Sequence, residues 1–168
     1  MVWLTGAILG LVTLERLAEL ALAACNTRRL RAQGAVEVGS HHYPFIVGLH
    51  AAWLEGLWVL SWERPVSWIM LACFGLLQVL RAWVIVTLGS RWTTRILVVP
   101  GETLVAQGPY KWLRHPNYVV VIGEIATLPL VFGLVGYAVI FSVLNAAVLF
   151  VRIRAEDAAL RRVRAQHL

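Results

Sequence analysis

Three groups of residues in this 168-residue chain combine side chains that do chemistry at useful spacing. In Arg114-His115-Pro116-Asn117-Tyr118, a cation and an imidazole precede a proline that suits the first position of a helix, where its missing N–H leaves no bond unmade. The free N–H groups and positive dipole end of such a start favour a carboxylate or phosphate. A basic cap resting on anionic lipid headgroups is the other reading of the same residues. In the second group, Arg152 and Glu156 stand one helical turn apart. Glu156 falls inside an apolar stripe of Leu149, Ile153, Leu160 and Val163, and a carboxylate on a buried face needs a partner. From the sequence alone a structural ion pair with Arg152 accounts for it, and Asp157 with Arg161 makes a similar pair turned toward solvent. The third is Glu124, seven residues after Asn117 and therefore ~10 Å further along nearly the same helix face. A carboxylate there is a candidate general base.

These residues sit in a chain that is 60% hydrophobic and 14% charged, with a mean hydropathy of +0.73. A soluble domain is roughly 45–50% apolar, so the solvent here is largely lipid. Eight tryptophans suit the membrane boundary, where an apolar ring and one N–H donor are both accommodated. Spanning about 30 Å of hydrocarbon takes about 20 helical residues. Five apolar runs approach that length: Val2 to Ala24, Pro44 to Trp62, Pro65 to Leu88, Pro116 to Phe132, and Leu134 to Ile153. Strands are excluded, because the runs far exceed a barrel strand and do not alternate. The expected architecture is an all-α integral membrane bundle of about five transmembrane helices forming one domain over residues 1–168. The first run has neither a basic segment before it nor a small-residue cleavage site after it, and reads as a retained anchor.

The net charge of +6 is distributed as topology rather than as a nucleic-acid patch. Twelve of the fifteen Lys and Arg fall after the first and third runs or from Arg152 at the end of the fifth onward, which places those segments in the cytoplasm and the N-terminus outside. The connection from Gly89 to His115 is long for a compact bundle, and its apolar inserts, Ile96 to Val99 and Leu104-Val105, imply that it packs against something. Glu15, Arg16, Glu19, His50, Glu55, Arg81 and Glu124 lie inside the runs, where each charge costs ~2.5 kcal/mol or more facing lipid, so a polar interior follows. The first three are expected to pair with one another or with Arg81. Cys25 and Cys73 stand alone without metal-ligand spacing, so no metal site is expected.

The string Glu102-Thr103-Leu104-Val105, Gly108-Pro109-Tyr110 and Arg114-His115-Pro116-Asn117-Tyr118, followed by Arg152-x-x-x-Glu156, resembles the isoprenylcysteine carboxyl methyltransferase family and its phospholipid methyltransferase relatives. The likeness covers the chain from about residue 88 to 168. His41-His42-Tyr43-Pro44 and His50 resemble bacterial members of the wider family, and Asp157 replaces the second Glu of the usual acidic pair. The resemblance implies an enzyme that holds S-adenosylmethionine in a cytoplasmic-side pocket and takes a lipophilic or lipidated acceptor from the membrane. By position, Glu102, Thr103, Leu104, Val105, Tyr110, His115, Pro116, Asn117, Tyr118 and Glu156 would contact the cofactor, and Arg152 would face the acceptor. The family's carboxylate acceptor needs no base, whereas a phenol or enol does, so Glu124 as a base favours the hydroxyl of an alkylresorcinol- or alkylpyrone-like lipid. Carboxyl methylation of a prenylated cysteine, with Arg152 or Arg95 holding the carboxylate, and phospholipid amine methylation are the alternatives within this architecture. A nicotinamide-dependent sterol reductase and a non-enzymatic membrane scaffold are the alternatives outside it.

Overall fold

The computed structural model describes residues 2–101 and 105–165, and in the last helix the side chains up to residue 159 together with Arg161. It contains five α-helices, α1 (Val2–Ala32), α2 (Tyr43–Leu60), α3 (Trp68–Leu88), α4 (Pro116–Val131) and α5 (Val135–Ala165). One small antiparallel ladder joins β1 (Val36–Val38) to β2 (Ile96–Val98), with Glu37 opposite Leu97. Three stretches, Ser40–Leu60, Trp68–Arg91 and Val135–Ala159, are long and apolar enough to cross a membrane. The other two helices fall short for different reasons. α1 has the length but carries Glu15, Arg16 and Glu19 at its middle, and α4 has the composition but only 16 residues, about 24 Å. α4 tolerates this because it is the most enclosed helix: Tyr118, Val120, Val121, Glu124, Ile125, Leu128 and Val131 are all buried. On α3, by contrast, Ile69, Leu76, Val79 and Val86 are largely exposed, as a face turned to hydrocarbon requires.

Local chemistry sets the helix ends. Ser67 caps α3, its Oγ accepting from the Met70 N–H. The turn from α4 to α5 takes one glycine, because Gly133 adopts φ +67°. That lets the N–H groups of Gly133 and Leu134 close back on the carbonyls of Leu130 and Pro129, satisfying the last turn of α4. α1 runs eight residues past the expected Ala24 and α5 reaches Ala165. The Arg, Leu and Ala that follow each apolar run are good helix formers, so the helix continues beyond the lipid.

Buried polar groups tie the helices together. Pro129 has no N–H, which frees the Ile125 carbonyl inside α4, and the buried indole of Trp53 on α2 donates to that carbonyl at 3.3 Å. The Tyr137 hydroxyl of α5 donates to the Trp53 carbonyl at 2.9 Å, and it lies 2.2 Å from where a Cβ on Gly56 would stand. At mid-bundle, Glu124 accepts five contacts. Arg81 grips it with two, Nε to Oε1 at 2.9 Å and Nη2 to Oε2 at 2.6 Å. Gln78 donates to Oε1 at 2.9 Å, and Arg16 contributes contacts of 3.2 and 3.5 Å. Arg16 also lies 3.0 Å from Glu19 and 3.5 Å from Glu15, while Arg81 Nε makes a charge contact with Glu19 at 3.2 Å. The expected pairing of Glu15, Arg16 and Glu19 with one another and Arg81 is therefore present, and Glu124 joins it.

Candidate active site at the basic end of the bundle

The last turns of α1 and α3, the start of α4, Arg152 and Glu156 of α5 and strand β2 border a cavity of about 360 Å³, within the size range of small-molecule sites. Gly108-Pro109-Tyr110 forms part of a 3₁₀ turn on its rim. Gly108 sits at φ +55°, and a Cβ there would lie 2.5 Å from the Thr87 hydroxyl, so only glycine lets this turn close onto α3. Pro116 then starts α4, as its missing N–H allows.

The cavity wall combines charge with apolar surface. The Arg152 Nε–H donates to the Tyr118 hydroxyl at 2.9 Å and an Nη2–H to the Thr94 carbonyl at 2.6 Å. Tyr118 in turn donates its O–H to Glu156. Arg152 and Glu156, expected as a direct ion pair, are therefore joined through Tyr118, because the phenol of α4 lies between them. His115 faces two carboxylates, with Nδ1 3.7 Å from Glu156 and Nε2 3.2 Å from Asp157. The hydrogen bond to Glu156 and the negative charge of both carboxylates raise its pKa above the usual histidine value, against the opposing effect of burial. Asp157 also accepts from Arg114 at 3.2 Å, so it points back toward the start of α4 rather than pairing outward with Arg161. Burial, aided by the nearby Glu156, pushes the Tyr110 phenol well above its ordinary value and keeps it a neutral donor.

Strand β2 supplies the remaining wall, and β1 lies behind it. Glu37 of β1 accepts from Arg31 and, at 2.6 Å, from Arg95. Burial alone would raise the Glu37 pKa, but the two arginines outweigh it and hold the carboxyl below its ordinary value. Arg95 stacks 4.0 Å from the Tyr43 ring centroid. A smaller void of about 10 Å³ toward α2 and α5, lined by His42, Tyr43, Ile46 and Val148 among others, shares Arg95, Ile96 and Arg152 with the main cavity.

Of the residues expected to bind a cofactor, Val105, Tyr110, His115, Asn117, Tyr118 and Glu156 line the main cavity together with Arg152. Glu102, Thr103 and Leu104 lie outside the described residues. Pro116 is buried at the first turn of α4 and is not on the wall, so its part is to start the helix. Glu124 is not on the wall either: its oxygens are taken up by Arg16, Gln78 and Arg81, which leaves no free lone pair for a general base. The sequence reading missed Leu30, Trp92 and Thr93 on the wall, and Glu37 behind it. The apolar insert at Ile96 to Val99 was the available signal, but three-residue strands are too short to reveal their pairing.

Among the described residues, two side-chain atoms of wall residues, Trp92 Nε1 and Asn117 Oδ1, are buried without a hydrogen-bond partner.

The isoprenylcysteine carboxyl methyltransferase family profile matches residues 68–162, which covers α3, β2, α4, most of α5 and most of the cavity wall. The chain is also 44% identical over 166 residues to the uncharacterized protein YpbQ of Bacillus subtilis (strain 168), covering 96% of this chain and 97% of that one. No solved structure matches it. With its apolar helices, its cavity at the start of α4 and these two likenesses, the chain belongs to the isoprenylcysteine carboxyl methyltransferase family, a family of membrane methyltransferases.

Proposed function

We propose that this protein is an S-adenosylmethionine-dependent methyltransferase that methylates an oxygen of a lipophilic acceptor, with the cavity facing the cytoplasm. The observation that carries the proposal is the wall itself: about 360 Å³ bounded by Glu156, His115 and Arg152 among others. This donor set fits a zwitterionic nucleoside cofactor. Glu156 suits an ammonium or ribose hydroxyls, and His115 with Arg114 at the start of α4 suits a carboxylate. Tyr110, Val105 and Ile96 give apolar contact. When bound, the cofactor supplies an electrophilic methyl group on a sulfonium. The chain's own part is to hold the acceptor oxygen in line and keep water out, which is worth much of the barrier in a two-substrate reaction.

Arg95 and Arg152 stand on the wall shared with the smaller void, and both guanidiniums are fixed, by Glu37 and Tyr43 and by Thr94 and Tyr118 respectively. They would draw an anionic acceptor oxygen to the cavity. The occupied Glu124 removes the reason for preferring a phenol that needs a base. An acceptor that arrives ionised, such as the carboxylate of a prenylated cysteine, suits this wall best.

The test is methyl transfer from labelled S-adenosylmethionine to a panel of lipophilic carboxylates, alkylresorcinols and phospholipid amines. Transfer to the carboxylates, lost in Arg152→Ala, is expected. Transfer to the amines alone, or to none of the three classes, would overturn the proposal.

A further inference from the structure

We infer that Glu37 is a positioning residue that sets the cavity's preference for an anionic acceptor, acting through Arg95. The inference rests on the methyltransferase reading above and adds a determinant from outside residues 68–162, the part of the chain that the family profile matches.

The register of the ladder brings the two side chains together. Glu37 stands opposite Leu97, and Arg95 lies two residues before Leu97, so it is the diagonal neighbour of Glu37 on the same face. A slip of one residue would turn Glu37 to the other face. In the observed register Arg95 Nη1 donates to Glu37 Oε1 at 2.6 Å, and Arg31, in the last turn of α1, donates to the other carboxylate oxygen.

Arg95 borders both the main cavity and the smaller void, and Glu37 borders the smaller void. The Arg95 side chain is 31% exposed, and among the described residues its Nε and Nη2 have no hydrogen-bond partner. The guanidinium is therefore held at one nitrogen with donors left over. Beside it in the chain, the Thr94 carbonyl accepts from Arg152 at 2.6 Å, so two held cations flank one short stretch of the wall.

Glu37 acts on an acceptor anion in two opposed ways. Its charge offsets part of the attraction of the arginines. Its hydrogen bond removes rotamer freedom from Arg95 before the acceptor arrives, so less is lost on binding. Arg31 balances the charge of Glu37, which leaves the positioning effect the larger. An acceptor without charge gains from neither.

The experiment measures KM and kcat for methyl transfer to N-acetyl-S-farnesylcysteine in the wild type, Glu37→Gln, Arg95→Gln and the double variant. The inhibition constant of its methyl ester, which has the same tail and no charge, is measured beside them. Glu37→Gln is expected to raise KM about tenfold, the scale of one charge-assisted hydrogen bond, with kcat and the ester's inhibition constant within about twofold of wild type. The double variant should be no worse than Arg95→Gln, because Glu37 acts through Arg95. Glu37→Asp keeps the charge on a shorter arm and should fall between wild type and Glu37→Gln. An unchanged or lowered KM in Glu37→Gln, or additive losses in the double variant, would overturn the role of Glu37 and leave the methyltransferase reading standing. A wild type that transfers no methyl group to this carboxylate would overturn the acceptor reading and the role of Glu37 together. Should Glu37→Gln not fold, Glu37→Asp decides, and a KM equal to that of the wild type overturns the inference.

Discussion

The bundle holds two clusters of arginine and glutamate that are built in opposite ways. At mid-bundle, Arg16, Gln78 and Arg81 converge on Glu124 from two helices and fill its hydrogen-bonding capacity, and the void beside them is only about 10 Å³. At the basic end, Arg152, Tyr118 and Glu156 form a chain of single contacts along the edge of a 360 Å³ cavity, with two orphaned polar atoms nearby. The same residue types serve cohesion in one place and leave room for a ligand in the other. The difference lies in how many donors meet each carboxylate and how much empty space adjoins it.

The contrast makes the largest effect fall on stability at mid-bundle. Arg81→Ala strands a buried carboxylate and is expected to cost about 3–5 kcal/mol, read as a lowered denaturation midpoint in detergent. A midpoint within error of wild type would mean that the mid-bundle cluster does not hold the helices. A smaller loss, about 1–3 kcal/mol, is expected from Trp53→Phe, which leaves the Ile125 carbonyl beside Pro129 without a donor. No loss there would show that another group satisfies that carbonyl.

The smallest effect is a pH dependence at the basic end. The folded pKa of His115 is raised, chiefly by Glu156. Its link between the start of α4 and the end of α5 is therefore fully present below the unfolded value of about 6.5 and is lost as pH rises through the folded value. The midpoint difference between wild type and His115→Gln should shrink as pH is raised from about 6 to about 9. A difference that grew over that range would contradict the arrangement of His115 between Glu156 and Asp157.

What could be read in the sequence follows the range over which each signal acts. Helices whose apolar runs are continuous were legible, as was the start of α4, because Pro116 carries its own rule about where a helix begins. Seven-residue spacing put Glu124 on the inner face of α4, but its role depends on Arg81 and Arg16, 43 and 108 residues away, and nothing local announces them. The same limit hid Glu37. Its meeting with Arg95 depends on two three-residue strands pairing across 58 positions, and alternation is not visible over three residues. The cavity residues Val105, Tyr110, His115, Asn117, Tyr118 and Glu156 were named through motif likeness, whereas Trp92, in the sequence one of eight tryptophans in a hydrophobic chain, is placed beside them only by the fold.

The most direct test of the two-cluster account compares the wild type, Glu156→Ala and Glu124→Gln for the rise in unfolding midpoint on adding S-adenosylhomocysteine, since a ligand stabilises only the protein that binds it. The account predicts that Glu124→Gln starts from a much lower midpoint yet shows the wild-type rise, while Glu156→Ala loses only a little of its midpoint and all of the rise. A Glu124→Gln protein that keeps its stability but loses the rise, beside a Glu156→Ala protein that retains it, would contradict the account.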